Sequence, residues 1–380
     1  VLSVDTTKTL TVTNAVTVKT NTGASTAGTV TGAGTVSAGS IVLGDSGVTM
    51  GNALQTATLT STITTFTLSG GITYNSINGT SNRDLNPVLN LTSGTLTVGA
   101  GIDMGSVAVA GVQFVMGNSS PTLKINGSTP WTVPASVTIT LNGTGATVNY
   151  TGASQALLVK TYNNLTLSGS GTDTGAVTTV SGNLALSGSV TYVTGAALAV
   201  TGTTTIGDGT TLTLGAFAFT SGAITVGGGT SGIFNASAAS SGTKTFNSTV
   251  TVAAGGNMDL SNCTGATTIV QGATVTNNSS NDMNFCTGAK TLSGTGTWSI
   301  AAGSGSGAIN FGAGLMTIPT NFIVANNYTN GTVTIGAVTL SAPVAANGAT
   351  LASGSVTSIT GALTFSTNTT ANDQIITLQG

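Results

Sequence analysis

The chain has 380 residues, of which 55 are glycine and only 4% are charged, and its formal net charge is −2. So few basic residues exclude the clustered Lys and Arg that neutralise nucleic-acid phosphates. No stretch reaches the ~18 consecutive apolar residues of a membrane-spanning helix. We therefore expect neither a nucleic-acid partner nor a membrane span.

Short runs with the alternation of a β-strand recur along the whole chain. They include residues 9–12, 56–59, 137–141 and 332–335. These runs are rich in Thr and Val, which branch at Cβ and suit a pleated sheet, whereas Gly, Asn, Asp and Ser between them are typical of turns. No helical i, i+3, i+4 stripe interrupts the pattern. The sequence therefore predicts an all-β fold.

A regular repeat runs through the middle of the chain. Ser-Gly or Thr-Gly dyads begin at Ser181, Thr201, Ser221 and Ser241, and the apolar residues Leu186, Ile206, Val226 and Phe246 keep the same register. A fixed period of about 20 residues is the signature of a solenoid, in which each unit packs on its neighbours. We predict a parallel β-helix or β-solenoid with about 20 residues per coil. Tandem β-sandwich domains, which also consist of short strands and turns, are the alternative.

Proline positions suggest a division into three parts. Residues 112–136 contain Pro121, Pro130, Pro134 and Trp131, and so hold half of the 6 prolines. Because proline is poorly tolerated in interior strands, we expect this range to be an irregular loop or joint. It would separate an N-terminal β-repeat region, residues 1–111, from a regular β-solenoid region, residues 137–380.

One stretch carries a family resemblance. Residues 162–172 read Tyr-Asn-Asn-Leu-Thr-Leu-Ser-Gly-Ser-Gly-Thr, and residues 180–184 read Val-Ser-Gly-Asn-Leu. Together they resemble a unit of the large β-strand-repeat proteins of bacterial surfaces, which are similar in composition to filamentous adhesins. The resemblance implies a parallel β-helix, export, and a role in adhesion or in an extracellular matrix. It brings no active-site residue with it.

The chemistry-bearing residues are sparse and scattered. There is no histidine and no Cys-x-x-Cys motif, so the sequence predicts no zinc site and no activated nucleophile. The repeated patterns of calcium-binding loops are absent too, and we expect no other metal or cofactor site. Only Asp259 and Asp282 are about one coil apart, and we interpret both as turn residues. We expect a protein that is not an enzyme.

The two cysteines occupy matching phrases. Cys263 lies in Asn-Cys-Thr-Gly-Ala and Cys286 lies in Phe-Cys-Thr-Gly-Ala. Stacked one coil apart, their Cα atoms would lie ~5 Å apart, which is within disulfide range. A disulfide in an exported protein and two buried thiols are the two interpretations.

Threonine rows are a further candidate feature. Thr203 and Thr205 could belong to a flat threonine face of the kind that ice-binding solenoids carry. At the period of the repeat they would stack on Ala223 and Thr225. The regularity is only partial, and ordinary solvent-facing strand threonines explain it.

Both ends of the chain read as strands without a charged or proline-rich cap. Open strand edges pair readily with a further strand. We therefore predict head-to-tail binding to copies of the same chain, through Val1, Leu2, Val4, Ile375, Ile376 and Leu378.

These features together predict a secreted structural protein. The chain begins at Val1 without a signal-peptide pattern, and we interpret it as a mature or trimmed product located outside the cell. It would be a subunit of an extracellular filament or surface layer. The alternative is an adhesin stalk or binding module that recognises surface glycans or a host surface through loops such as 112–136.

Overall fold

The structure is a computed structural model that describes most of the first 311 residues and the backbone of short strands beyond them. The described ranges are 1–20, 25–45, 54–77, 85–105, 111–237, 240–270, 274–293, 298–302, 307, 309–311, 316–318, 322–325, 332–335, 338–340, 348–351, 356–359, 363–365 and 375–378. In these ranges all regular structure is β-strand. The chain forms two compact units, residues 1–174 (unit 1) and 175–380 (unit 2).

Unit 1 consists of short strands joined by turns. Its strands are β1 (Leu2–Ser3), β2 (Thr9–Val18), β3 (Thr26–Thr31), β4 (Thr35–Leu43), β5 (Gln55–Ser61), β6 (Thr65–Leu68), β7 (Ile72–Tyr74), β8 (Leu85–Leu91), β9 (Thr95–Val98), β10 (Ile102–Asp103), β11 (Gln113–Met116), β12 (Thr122–Ile125), β13 (Trp131–Thr132), β14 (Thr138–Thr140), β15 (Thr147–Tyr150) and β16 (Asn164–Leu167). Strand β17 (Ser170–Gly175) ends at the boundary.

Strands β1 to β16 of unit 1 belong to two parallel sheets, and between successive strands of the first sheet the chain places one or two strands in the second. The first sheet contains β1, β3, β5, β8, β11 and β14. The second contains β2, β4, β6, β7, β9, β10, β12, β13, β15 and β16. Inward residues such as Phe66 and Leu96 are buried, and the threonines beside them face outward, as the period of a strand requires.

The strands of unit 2 belong to three parallel sheets. Its strands are β18 (Thr179–Val180), β19 (Leu184–Leu186), β20 (Ser189–Thr194), β21 (Leu198–Val200), β22 (Thr204–Ile206), β23 (Thr211–Leu214), β24 (Phe219–Ser221), β25 (Ile224–Val226), β26 (Ile233–Ala236), β27 (Lys244–Phe246), β28 (Val250–Val252), β29 (Asn257–Asp259), β30 (Thr267–Val270), β31 (Thr274–Asn277), β32 (Met283–Asn284), β33 (Lys290–Ser293), β34 (Trp298–Ala302), β35 (Ile309–Asn310), β36 (Met316–Ile318), β37 (Phe322–Ala325), β38 (Thr332–Ile335), β39 (Val338–Leu340), β40 (Gly348–Leu351), β41 (Val356–Ile359), β42 (Leu363–Phe365) and β43 (Ile375–Leu378). From β18 to β43 the chain visits the three sheets in rotation, so every third strand pairs.

The prediction of an all-β fold is confirmed, and the paired strands of both units are parallel. β-Sandwiches, the alternative prediction, are built from antiparallel sheets. Large parallel sheets whose strands recur in rotation are consistent with a β-solenoid or β-helix.

The spacing between paired residues is not constant. Leu186, Ile206 and Val226 pair in register, as the repeat predicts. The next residue of this column, however, is Val252 rather than Phe246. Additional residues in the turns between β25 and β28 displace the register, because turns lie outside the ladders and their length is free to vary.

Residues 112–136, expected as an irregular loop or joint, contain strands β11, β12 and β13. Pro121 and Pro130 directly precede β12 and β13, where no ladder N–H is needed. Both still accept hydrogen bonds: Thr147 N donates to Pro121 O and Ile102 N donates to Pro130 O, each at 2.9 Å. Prolines at strand starts are therefore compatible with continuous sheets.

Candidate functional sites

Outward-facing threonines form two columns on the second sheet of unit 1. The first column contains Thr9, Thr35, Thr65 and Thr95, and the second contains Thr11, Ser37, Thr67 and Thr97. We call these eight residues the threonine face. The first column continues through Thr122 and Thr147, whereas Lys124 and Asn149 interrupt the second column.

The threonine face repeats regularly in two directions. Neighbouring strands of a sheet lie ~4.8 Å apart, and alternate residues of one strand lie ~6.6–6.8 Å apart. Behind the face, Val36, Phe66 and Leu96 are at most 1% exposed, so close packing holds these strands in place. The face itself carries hydroxyl and methyl groups and no charge.

Sequence reasoning considered a threonine face only at Thr203 and Thr205, and interpreted these residues as ordinary solvent-facing strand threonines. In unit 2, Thr205 does pair with Thr225, but the following residue of that column is Thr251. Strand β22 begins at Thr204, which is buried, so Thr203 belongs to no second column. The signal that finds the actual face is the Thr-x-Thr or Thr-x-Ser pattern of unit 1, which recurs at wider intervals than the repeat of unit 2.

The two cysteines lie one above the other at a corner of unit 2. Thr264 N donates to Ser240 O at 2.9 Å, and Thr287 N donates to Cys263 O at 2.7 Å. Ser240, Cys263 and Cys286 therefore occupy equivalent positions in three successive turns. Both thiols are fully buried, and neither cysteine is in a disulfide in this structure.

Two buried lysines flank this corner. In the ladder β27–β30–β33, Lys244 lies opposite Thr267, and Thr267 lies opposite Lys290. Both lysines are at most 1% exposed. Lys244 Nζ donates to Phe217 O at 2.9 Å and to Gly242 O at 2.6 Å. We call Ser240, Lys244, Cys263, Thr267, Cys286 and Lys290 the cysteine corner.

The electrostatics of the cysteine corner favour one thiolate. The hydrogen bond from the Cys286 thiol, with a smaller contribution from the Lys244 charge, lowers the pKa of Cys263. The same contact, together with burial, raises the pKa of Cys286. Burial lowers the pKa of Lys290 to about 8.

Two buried hydroxyls face the sulfur atoms. Ser240 lies beside Cys263, and Thr267 lies beside Cys286. Both hydroxyls are buried, and among the described residues neither makes a hydrogen bond to another group. An anionic sulfur would accept these hydrogen bonds, so the corner is arranged to hold a thiolate.

The first strands form an edge in unit 1. Val1 is 98% exposed, and Leu2 is 38% exposed and lies opposite Val30 in β3. Val4 is buried, and its N–H donates to Thr31 O at 3.0 Å. Strand β1 pairs with β3 and β2 pairs with β4, and within the described residues neither has a strand on its other edge.

The C-terminal contact residues of the sequence prediction lie in β43. Ile375, Ile376 and Leu378 are opposite Gly348, Ala349 and Leu351 of β40, respectively. Their side chains lie outside the described part of the structure. The predicted role of both chain ends in subunit contacts stays a prediction.

The carboxylates of Asp208 and Asp259 accept hydrogen bonds from neighbouring turn residues. Asp208 Oδ1 accepts hydrogen bonds from the N–H groups of Gly228, Ser231 and Thr230 at 2.7, 3.0 and 3.3 Å, and these bonds lower its pKa to about 2. Asp259 Oδ1 accepts from Ser261 N and Oγ.

Asp259 and Asp282 do not occupy opposite positions, since Asp259 lies opposite Asn284. Among the described residues, no three His, Cys, Asp or Glu side chains form a group that could hold a metal ion.

One carboxylate of unit 1 is buried. Asp173 Oδ1 accepts a hydrogen bond from Gln155 N at 2.6 Å, while no described residue donates to its other oxygen. Burial raises the pKa of Asp173 to about 6. The Gln155 side chain in turn donates to Ile125 O and Gly127 O and accepts from Gly152 N, so this cluster ties β17 to the preceding turns.

Comparison with protein-family models, with curated proteins and with solved structures finds no match to this chain. In the part of the chain that the structure describes, no helix is long and apolar enough to cross a membrane.

Proposed function

We propose that this chain is a structural β-solenoid that serves outside the cell as a subunit of a filament or surface layer. The observation that supports this proposal best is the edge strand β2, which extends from Thr9 to Val18. Its N–H and C=O groups on the outer edge are free to pair with a strand of another copy.

Natural sheets protect such edges with lysines, prolines, bulges or short strands. Strand β2 contains neither a charged residue nor a proline, and only an irregularity between Val12 and Ala15 interrupts its ladder. A parallel strand added to this edge would continue the ladders of unit 1 by β-augmentation. An interface of this kind repeats from copy to copy and produces an open fibre.

The finer architecture belongs to the same proposal. Each unit would be a solenoid whose successive coils close around a common core. The resemblance of residues 162–172 and 180–184 to bacterial strand-repeat surface proteins supports export and a structural role. The low content of charged residues, 4%, suits surfaces that are covered by neighbouring copies.

Electron microscopy of the whole chain over a range of concentrations tests this function. We expect fibres that lengthen with concentration. The double variant Thr13→Lys, Thr17→Lys adds two charges to the edge strand β2 and should prevent fibre formation. The matched control is the double variant Thr58→Lys, Thr60→Lys, which adds the same charge to β5. Strand β5 pairs with a neighbouring strand on both edges.

Separate particles of wild-type chain at every concentration would overturn head-to-tail assembly. They would favour the alternative, an adhesin stalk. If fibres form equally well with both double variants, β2 is not part of the interface between copies.

The threonine face supports a second candidate function, binding to ice. Its repeats of ~4.8 Å and ~6.7 Å are close to the spacings of oxygen atoms on the prism faces of hexagonal ice. Rows of methyl groups order the adjacent water, and the hydroxyls anchor it by hydrogen bonds. The face carries no charged residue over its four strands.

Inhibition of ice recrystallisation and the shaping of single ice crystals test this second function. We expect activity in the wild type and its loss in Thr67→Tyr, which places a large ring on the face. Thr245→Tyr, on an outward position of β27 in unit 2, is the matched control and should retain activity. A wild-type chain that leaves ice growth unchanged would end this proposal.

A further inference from the structure

We propose that the cysteine corner is an oxidative cross-linking site, at which Cys263 and Cys286 form a disulfide between two successive turns of unit 2. Three observations carry this proposal: the stacking of the two residues, the interaction between their thiols, and the polar groups buried around them. It does not depend on assembly into fibres or on ice binding.

The stacking gives the correct separation. Thr287 N donates to Cys263 O, as in a ladder between adjacent parallel strands. Adjacent strands lie ~4.8 Å apart, and Cα atoms joined by a disulfide lie ~4.4–6.8 Å apart. The thiols of Cys263 and Cys286 already interact with each other, so the disulfide can form without moving the backbone far.

The surrounding groups favour the reaction. Disulfide formation requires a thiolate as the attacking group. The ammonium groups of Lys244 and Lys290 supply positive charge, and the buried hydroxyls of Ser240 and Thr267 supply hydrogen-bond donors beside the sulfur atoms. Buried lysines are rare in protein cores, and two in one column beside two thiols indicate a site rather than ordinary packing.

The reaction needs an external disulfide as oxidant, such as oxidised glutathione. The Cys263 thiolate attacks one sulfur of this oxidant, forms a mixed disulfide and releases one glutathione thiolate. Cys286 loses its proton and attacks the Cys263 sulfur, which expels the second glutathione thiolate. The two cysteine protons end on the two glutathione molecules, and the two electrons reduce the oxidant. Because both thiols are buried, the exchange takes place during folding or when this corner opens locally.

The experiment counts thiols in the whole chain after refolding with oxidised glutathione. We expect no maleimide-reactive thiol in the denatured protein before reduction and two after reduction. The cross-link closes the loop between Cys263 and Cys286, which constrains the unfolded chain. Reduction should therefore lower the Tm of unit 2 by roughly 5–10 °C. Two free thiols after oxidation, or a Tm that reduction leaves unchanged, would overturn the proposal.

The chain itself provides conservative control variants. Serine occupies the equivalent position at Ser240, so Cys263→Ser and Cys286→Ser are compatible with the local fold. Each should keep one free thiol and show a Tm that does not respond to reductant.

Threonine occupies the lysine column at Thr267, and the double variant Lys244→Thr, Lys290→Thr should oxidise several-fold more slowly at neutral pH. An unchanged rate would overturn the role of the lysines.

Discussion

Thr65 lies directly opposite Thr95 in the parallel ladder between β6 and β9, although β7 and β8 lie between them along the chain. The neighbouring inward residues, Phe66 and Leu96, pair in the same ladder and are buried. Each strand thus places one column on the surface and another in the core. Substitutions at adjacent positions should therefore have very different effects on stability.

Phe66→Ala tests the core column. Phe66 is 1% exposed, and its loss leaves a cavity between strands that cannot collapse freely. We expect unfolding of unit 1 to require ~3–5 kcal/mol less free energy. The control is Thr67→Ala on the adjacent outward position, which should change stability by under ~1 kcal/mol. Urea unfolding followed by circular dichroism measures both, and equal effects would contradict the inward and outward assignment.

Glycines at the stacked turns provide a second test. A Cβ at Gly169 would overlap the carbonyl oxygen of Gly152, so Gly169→Ala forces the two turns apart. We expect a loss of ~1–3 kcal/mol, as for other overpacked positions. Gly28 is the matched control, because a Cβ there meets Val18 and Leu59 only at 3.7 and 3.8 Å.

Since alanine is less flexible in the unfolded chain, Gly28→Ala should stabilise by ~0.4–1 kcal/mol. Thermal unfolding of the two variants measures the change in stability at each position. Destabilisation by Gly28→Ala as large as that by Gly169→Ala would mean that glycine is required for flexibility rather than for space.

The sequence allowed the strand character and the parallel stacking to be predicted, because both depend on local alternation and on a repeat. It did not allow the register to be predicted over many turns. Additional residues in the turns after Val226 are enough to place Val252 where the period predicts Phe246. The threonine face was missed for the same reason, since its strands recur at wider intervals than the repeat on which the prediction was based.

The cysteine pair was recognised because both thiols lie in the same phrase, Cys-Thr-Gly-Ala. The sequence did not reveal the buried lysines beside this pair. A lysine in a sequence of this kind predicts an exposed position. Only the structure shows that Lys244 is buried with its ammonium group bound to the carbonyl oxygens of Phe217 and Gly242.

Two buried tyrosines of unit 1 offer a matched pair for measuring hydrogen bonds. The Tyr150 hydroxyl accepts from Trp131 Nε1 and from Leu158 N, each at 3.1 Å, and lies 2.9 Å from the Tyr162 hydroxyl. The Tyr74 hydroxyl is equally buried, but no described residue forms a hydrogen bond with it.

Tyr150→Phe should therefore cost ~1–3 kcal/mol, because it leaves buried donors without an acceptor. Tyr74→Phe should be neutral or stabilising, because it removes a buried polar atom that makes no bond. Denaturant midpoints of the two variants give the comparison. A larger loss for Tyr74→Phe would show that its hydroxyl does have a partner in solution.

The buried carboxylate of Asp173 makes the stability of unit 1 depend on pH. Its pKa is about 6 in the folded chain, above the ordinary value of 3.8, because burial disfavours the charged form. At pH 7 the group is charged in both the folded and the unfolded chain, and folding must bury that charge. As the pH falls through 6, the folded chain takes up a proton before the unfolded chain does, so stability rises and levels off near pH 4.

Asp173→Asn removes the titration and isolates this effect. At pH 7 the variant should be more stable than the wild type by at most roughly 2–3 kcal/mol, and the difference should shrink as the pH falls to 4. Asp208 does not interfere in this window, because its pKa of about 2 places its own effect at lower pH. The measurement is the difference in unfolding free energy between the two chains at several pH values. A difference that stays constant from pH 7 to pH 4 would mean that Asp173 is not charged and buried in the folded chain at neutral pH.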